Sequence, residues 1–523
     1  MPNRLHIALT SMMAGWFRLS ILPLLVLGMF QPGRAEQVLQ VPEGADLQQA
    51  LDRARPGDTI LLRPGARYIG NFVLPKKEGS QYITVRTADV NGQPAMGMRV
   101  HPSHESKLAK IGSPNGQPAL RTAAGAHHWR IQVLEFLPNR NGAGDIITLG
   151  DAAERDLNQV PHDLIVDRCY IHGDPALGQK RGIALNSGTT VIRGSYISDM
   201  KVRGQDAQAI AGWNGPGPYT IENNYLEAAG NNFMLGGADP AIRGLVTENV
   251  TFRKNHLSKP VAWRGQGWTV KNLFELKNAR KVLVEGNVME YSWLDAQVGY
   301  AVLFTPRNQD GGAPWATVED VTFRYNIVRH AGGGMQILGN DTIHPSGPTR
   351  RVLVAHNVFY DINSATWGGT GAFVLIGEGP SEVTIEHNTV SQSGNILMAF
   401  GGTRAKAIPI SGFRFRDNLV KHNEYGVHGS DRSPGQDSLD WYFPGAQFQS
   451  NGIAGGDARR YPQGNAFLSE AEFEAQFVAP GAGDFRLKPD SRFRGAASDK
   501  KDLGADLSAL AAALGIRPGT AFQ

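Results

Sequence analysis

The chain has 523 residues, 41% hydrophobic and 19% charged, with 52 lysines and arginines against 48 aspartates and glutamates. That balance excludes a highly charged disordered protein and gives no footing for nucleic-acid binding. One cysteine, Cys169, excludes an intrachain disulfide framework and a thiolate metal cluster.

Residues 1–35 read as a secretion signal. Arg4 and Arg18 supply positive charge, the apolar run Leu19 to Phe30 is too short to span a bilayer, and Gly33-Arg34-Ala35 offers a cleavage point after Ala35. Removing the segment takes away Arg4, Arg18 and Arg34 and leaves 49 basic against 48 acidic side chains, so the sequence pI near 9.0 does not point to an acidic partner. No later segment is apolar enough to span a membrane, and no Leu-x-x-Cys lipidation motif follows the signal. The expectation is a secreted or periplasmic monomer without a membrane anchor.

Asp46 to Gln49 forms a capping box, and Leu47, Ala50, Leu51 and Ala54 then make one apolar helical face. Pro56-Gly57-Asp58 ends that helix and Thr59 to Leu62 begins a strand. Beyond it one phrase recurs: β-prone residues, a polar pair, Asn, then further β-prone residues. It reads TIENNYL at Asn224, TFRKNHL at Asn255, LVEGNVM at Asn287, TFRYNIV at Asn326, LVAHNVF at Asn357, TIEHNTV at Asn388 and RFRDNLV at Asn418. Degenerate copies carry Cys169 and Ser195 at the same point, and the spacings from Cys169 onward are 26, 29, 31, 32, 39, 31, 31 and 30. A period near 30 fits one solenoid coil of three short strands; apolar–polar alternation within each phrase fits a strand with one buried face. A propeller wants longer repeats, and the leucine-rich consensus is absent.

A second, more apolar strand occurs once per coil: DIITLG, GIALNS, AIAGWN, NFMLGG, NLFELK, AVLFTPR, GMQILG, FVLIGE and ILMAFGG. Stacked coils would set the recurring asparagines in a ladder at one corner, ending at Asn418. The fold class expected is therefore all-β, a single right-handed parallel β-helix over residues 36–440 with an N-terminal capping helix. Residues 441–523, with a capping box at Ser469 to Glu472, form an irregular C-terminal cap.

The opening DLQQALDRARPGDTILLRPG, the Asn phrases and the closing DFRLKPDSRFRGA…KDLGAD resemble the pectin-lyase-like superfamily of right-handed β-helices across nearly the whole chain after the signal. That resemblance implies the fold strongly and the chemistry weakly.

Among the second strands one copy is charged: Asn272-Leu-Phe-Glu275-Leu-Lys277. Glu275 and Lys277 share one side of the strand and Phe274 and Leu276 the other. The next coil places Thr305, Pro306 and Arg307 at equivalent points, so Lys277 and Arg307 are expected on neighbouring coils. The 39-residue repeat adds its extra length at Arg307-Asn-Gln-Asp310-Gly-Gly-Ala-Pro-Trp315. Trp263, Trp268, Trp293 and Trp315 fall within residues 263–315, and tryptophan faces suit sugar C–H groups. Trp268, Trp293, Asp310 and Trp315 are the candidate substrate contacts.

Lys277 beside Arg307 suits β-elimination on a uronate: a neutral amine takes the proton α to the carboxylate, and the guanidinium holds the carboxylate and the charge that develops there. Glu275 is the candidate Ca²⁺ ligand. The structural alternative is a solvated Glu–Lys–Arg salt bridge. The arrangement is similar to the chondroitinase B and alginate lyase family, which implies Lys277 as base and Arg307 as acid or clamp. The family's paired glutamates are reduced here to Glu275, and the spacing is shorter.

The expected function is a lyase acting on an acidic extracellular polysaccharide. The alternatives are a glycoside hydrolase or a non-catalytic carbohydrate-binding β-helix. Hydrolysis needs clustered carboxylates, and Asp310 and Asp341 stand apart. His127, His128, His330 and His344 read as turn or surface residues sooner than catalytic ones.

Overall fold

The computed structural model describes residues 36–517; the proposed signal segment lies outside the described residues. The chain winds as a right-handed parallel β-helix whose coils contribute to three long sheets of 14, 14 and 12 strands. One coil shows the plan. Gly217–Glu222 lies in the first sheet, Asn223 and Asn224 turn the corner, Tyr225–Ala228 lies in the second sheet, and Asn231–Leu235 in the third. Pairing between successive coils is parallel and in register: Phe233 faces Phe274, which faces Val302, then Met335, Val374, Leu397 and Val427. These side chains point inward and are buried, with the Phe233 and Phe274 rings stacked at 5.4 Å. A coil cannot bury its apolar face alone; stacking supplies both the core and the backbone hydrogen bonds.

The N-terminal end is closed by the helix Leu47–Arg53, whose cap Asp46 accepts from the Gln49 N–H and whose Leu47 and Leu51 are buried. Among the described residues no helix is long and apolar enough to cross a membrane.

At the corner between the first two sheets the recurring asparagines form a continuous hydrogen-bonded run. Asn224 donates from both its backbone N–H and its side-chain amide to Oδ1 of Asn255, and its amide also reaches back to the Ile192 carbonyl of the previous coil. Asn255, Asn287, Asn326, Asn357 and Asn388 repeat the pattern. The run does not end at Asn418; it passes to Asn451 and then Asn465, and sheet strands continue to Leu468. Ser195 serves as one further rung, since its N–H donates to Asn224 and its hydroxyl accepts from Cys169 N–H. The left-handed backbone at this corner belongs to the residue before each asparagine: Lys254, Gly286, Tyr325, His356, His387 and Asp417 all have positive φ. Glycine would suit that conformation best. The asparagine hydrogen bonds hold the non-glycine residues there.

The corner is covered along its length. Arg99, in an early excursion, donates to the carbonyls of Asn223 and Lys254. The C-terminal segment does more than close the end of the solenoid. It runs back along the second sheet, packing Phe473, Phe477, Phe485 and Phe493 with the outward-facing Ile327, Val358 and Leu419. Gly504 N–H donates to the Asp417 carbonyl and Asp506 N–H to Nδ1 of His356.

Two outcomes follow. Asn287→Ala removes the acceptor of the Asn255 N–H and the amide that donates to the Phe252 carbonyl, while Asn326 Oδ1 keeps only the backbone N–H of residue 287; a loss of roughly 2–4 kcal/mol is expected in denaturant unfolding. Asn465→Ala, at the half-buried end of the run, should cost less, and equal losses would count against the run as the stabilising element. The second concerns acid. Burial, then the neighbouring His387, lowers His356 from 6.5 to about 4. Its neutral ring accepts the Asp506 N–H, while the undocked chain binds a proton below its ordinary value. Docking of residues 500–514 should therefore weaken as pH falls from about 6.5 to 4. Hydrogen exchange across that window checks this, and His356→Gln should flatten the dependence.

Candidate functional site

The third sheet presents its outer face as a strip between two sets of loops. Along it the outward register runs Ala184, Ala211, Met234, Glu275, Leu303, Gln336 and Leu375. Glu275 is the single carboxylate in that row, and it is buried. Its carboxylate oxygens are occupied from two sides: Asn231, one coil earlier, donates to Oε2 at 2.7 Å, and the Lys277 ammonium lies 3.1 Å from Oε1. Thr305 Oγ1, on the following coil, sits 3.5 Å from Oε1.

Lys277 emerges where the strand Phe274–Leu276 ends. Two glycines of the preceding coil make room for it. A Cβ on Gly236 would stand 2.8 Å from the Lys277 Cβ, and one on Gly237 would stand 3.3 Å from its Cδ. Both glycines have φ near +90°, which side chains rarely adopt. On the other side the coil containing Arg307 pairs directly: Thr305 N–H donates to the Leu276 carbonyl and Arg307 N–H to the Lys277 carbonyl at 3.0 Å. Lys277 and Arg307 therefore stand on neighbouring coils, joined by one backbone hydrogen bond just past the ends of their strands.

Arg307 is fixed by a carboxylate that has no solvent exposure of its own. Asp341, one coil further, accepts from Arg307 Nη1 at 3.0 Å, from Asn308 N–H at 3.0 Å and from Ile343 N–H at 3.0 Å. A buried carboxylate holding three donors is rigid, so the guanidinium it grips is rigid too. The loop after Arg307 is pinned from the coil two before it and from the coil after it. Asp239 accepts from the N–H groups of Asp310 and Gly312, Trp315 Nε1 donates to the Leu245 carbonyl, and His344 Nδ1 lies 3.1 Å from the Asn308 carbonyl. Asp310 is exposed and Trp315 half-buried at the rim.

Trp268 and Trp293 are not brought to this point. They are buried with Trp263, Trp367 and Val270 at the opposite margin of the strip, where the chain passes from the second sheet to the third. Lys201 Nζ lies 4.6 Å from the Trp263 ring and the Arg203 guanidinium 3.8 Å from Trp268. The reason is positional: these tryptophans precede the third-sheet strand of their coil, whereas Lys277 and Arg307 follow it. Their faces are spent on packing and cation–π contacts.

Glu275 does not fit the calcium role. Ca²⁺ takes six to eight oxygen ligands, whereas the two oxygens of Glu275 face an ammonium and an amide N–H. Among the described residues no group of three or more His, Cys, Asp or Glu is arranged to hold a metal ion.

Sequence reasoning missed Asn231, Asp239 and Asp341 as supports, and it missed Lys259 entirely. Lys259 is fully buried with no carboxylate beside it. Its Nζ donates to the carbonyls of Ala228, Ala229, Gly230 and Asn272 and to Asn232 Oδ1, at 2.7–3.1 Å. It gathers the orphan carbonyls of the turn that leads into Asn231 and ties them to the start of the Glu275 strand. The signal for Asn231 and Asp341 was coil register: each lies one coil from the residue it supports.

No family model matches the chain, and no curated protein matches it in sequence. Solved structures match it in fold. A PL6 family alginate lyase, AlyGC, superposes with a TM-score of 0.54 at 14% identity, covering 90% of this chain and 58% of that one. A mannuronic acid specific polysaccharide family 6 lyase from human gut microbiota gives a TM-score of 0.50 at 12% identity, covering 83% of this chain and 92% of that one. This chain thus spans little more than half the length of AlyGC. At these identities the likeness is one of fold: the chain shares the parallel β-helix of these two lyases.

Proposed function

We propose that this protein cleaves a uronate-containing polysaccharide by β-elimination on the outer face of the third sheet. The observation that supports the reading is the hydrogen bond from the Arg307 N–H to the Lys277 carbonyl, which joins on neighbouring coils a lysine whose ammonium is held by Glu275 and an arginine whose guanidinium is held by Asp341. Of two solved structures with this fold, one is named as an alginate lyase and the other as a mannuronic acid specific polysaccharide lyase, which supports the substrate class. The reading places the protein outside the cytoplasm, in the periplasm or beyond the cell, acting as a monomer on a polymer too large to enter the cell.

In this reaction Arg307 holds the uronate carboxylate, and the charge that develops on removal of the α proton spreads onto that carboxylate. Lys277 passes one proton to Glu275, 3.1 Å away, and its freed amine takes the α proton. The electron pair of the broken C–H bond forms the new double bond, and the glycosidic oxygen departs from the β carbon. The leaving oxygen is protonated by the ammonium so regenerated. Hydrolysis fits less well at this point of the strip, because Glu275 and Asp341 are both buried and engaged and do not form a free pair flanking a bond.

Incubation with alginate, pectate, chondroitin and heparin, following the ultraviolet absorbance of the unsaturated uronate, tests the proposal. Activity should appear on at least one polymer and fall by about 10²–10⁴-fold in Lys277→Ala. Arg307→Lys keeps the charge but loses the bidentate fork, and should lower kcat/KM strongly as well. Asp341→Asn should leave the fold intact and cost about 10²-fold through misplacement of Arg307. Reducing ends without ultraviolet absorbance on every uronate polymer would move the assignment to hydrolysis.

A further inference from the structure

Three coils before Lys277 the same outer face carries a second polar group that the reacting pair does not use. In the third-sheet register Asp145 faces Arg181, which faces Gln208, which faces Asn231. This row leads to Glu275 through the Asn231 amide. Within it Arg181 is held on three sides. Nη1 donates to Asp145 Oδ1 at 2.7 Å, Nε donates to Gln208 Oε1 at 2.9 Å, and the guanidinium lies 4.9 Å from the ring of Trp213. Trp213 is half-buried, and its backbone N–H is fixed by Asn186 Oδ1 at 2.9 Å. The neighbouring outward positions are Ala184 and Ala211, whose small side chains leave space for the guanidinium and indole to lie over the sheet.

The Arg181–Asp145 pair bridges one coil to the next, and the group differs from the other inter-coil pairs in lying on the third-sheet face with its guanidinium 4.9 Å from an indole ring. Its hydrogen bonds use Nε and Nη1, and Nη2 has no hydrogen-bond partner among the described residues. A rigid fork with unspent donors, beside an aromatic ring, is chemistry that takes a carboxylate and an adjacent sugar face. The geometry along the axis agrees. Successive coils are about 4.8 Å apart, so Arg181 stands about 14 Å from Lys277 along the strip. A 1,4-linked pyranose advances by about one coil spacing, so a chain laid along the strip puts one ring over each coil.

We propose that Arg181 and Trp213 form a distal uronate subsite that grips the polymer three residues from the point of cleavage, with Gln208 and Asn231 beneath the rings between. The inference rests on the uronate reading above and sets a minimum length: oligomers of four or more residues reach Arg181, and trimers do not.

The test uses the full-length Lys277→Ala protein, which binds without turnover, titrated with a trimeric and a hexameric oligouronate and with a neutral hexasaccharide. Calorimetry and tryptophan fluorescence give the affinities. The hexauronate should bind more tightly than the trimer and quench tryptophan emission. Adding Arg181→Gln should weaken hexamer binding by about tenfold and leave the trimer unchanged. Trp213→Phe should remove the quench while keeping the fold, which circular dichroism checks. Equal hexamer affinity with and without Arg181, together with an unchanged quench in Trp213→Phe, overturns the subsite and leaves the reaction intact. Equal affinity for the neutral hexasaccharide also overturns it. If Lys277→Ala binds neither uronate and the unmutated protein turns over no uronate polymer, the functional reading itself fails and takes the subsite with it.

Discussion

Everything here depends on coils stacking in register. Parallel pairing between strands about thirty residues apart satisfies the backbone, and the inward side chains become one continuous core. The corner asparagines enforce the same register from the side. Each amide bonds forward to the next asparagine and back to a carbonyl of the previous coil, so a slip of one residue would break several buried hydrogen bonds at once. The left-handed residue before each asparagine is tolerated because of those bonds. In this respect the corner stores backbone strain that the ladder of amides offsets.

Register is also what assembles the site. Asn231, Glu275, Lys277, Thr305, Arg307 and Asp341 come from four successive coils, and no two coils alone hold the group. The β-helix turns a separation of thirty residues into one strand spacing, so each side chain is held by a rigid strand end with supports on the coils before and after it. The loop between Arg307 and Trp315 is anchored by Asp239 on one side and His344 on the other, so the longest repeat is fixed at its tip as well as its base.

The solenoid was legible because its signal is periodic and redundant: seven asparagines and nine second strands carry the same message. The pairing of Lys277 with Arg307 was legible for the same reason, since both could be counted along aligned coils. What failed was anything that needed the direction of the chain around a coil. Trp268 and Trp293 are close to Lys277 in sequence, yet they sit on the far margin of the strip, because they precede the third-sheet strand and Lys277 follows it. Glu275 fits a calcium ligand poorly because the ammonium two residues away folds back onto it, the Glu–Lys half of the salt bridge the sequence offered as the alternative; Arg307 pairs with Asp341, and both carboxylates are buried. The extension of the asparagine run to Asn465 was hidden by a short final coil of 14 residues, whereas Asn451 follows Asn418 at an ordinary spacing of 33 and was there to be counted. Lys259 carries no pattern at all; only the convergence of four carbonyls and an amide oxygen in space shows what it does.

The central claim is that an amine and a guanidinium on neighbouring coils break a uronate polymer by elimination, without adding water across the bond. The most direct measurement is mass spectrometry of products formed in water enriched in heavy oxygen. The account predicts unsaturated non-reducing ends, with no label incorporated at the cleaved bond beyond ordinary exchange at the reducing end. Saturated non-reducing ends, with the label on the anomeric carbon of the new reducing end at the time of cleavage, would contradict it.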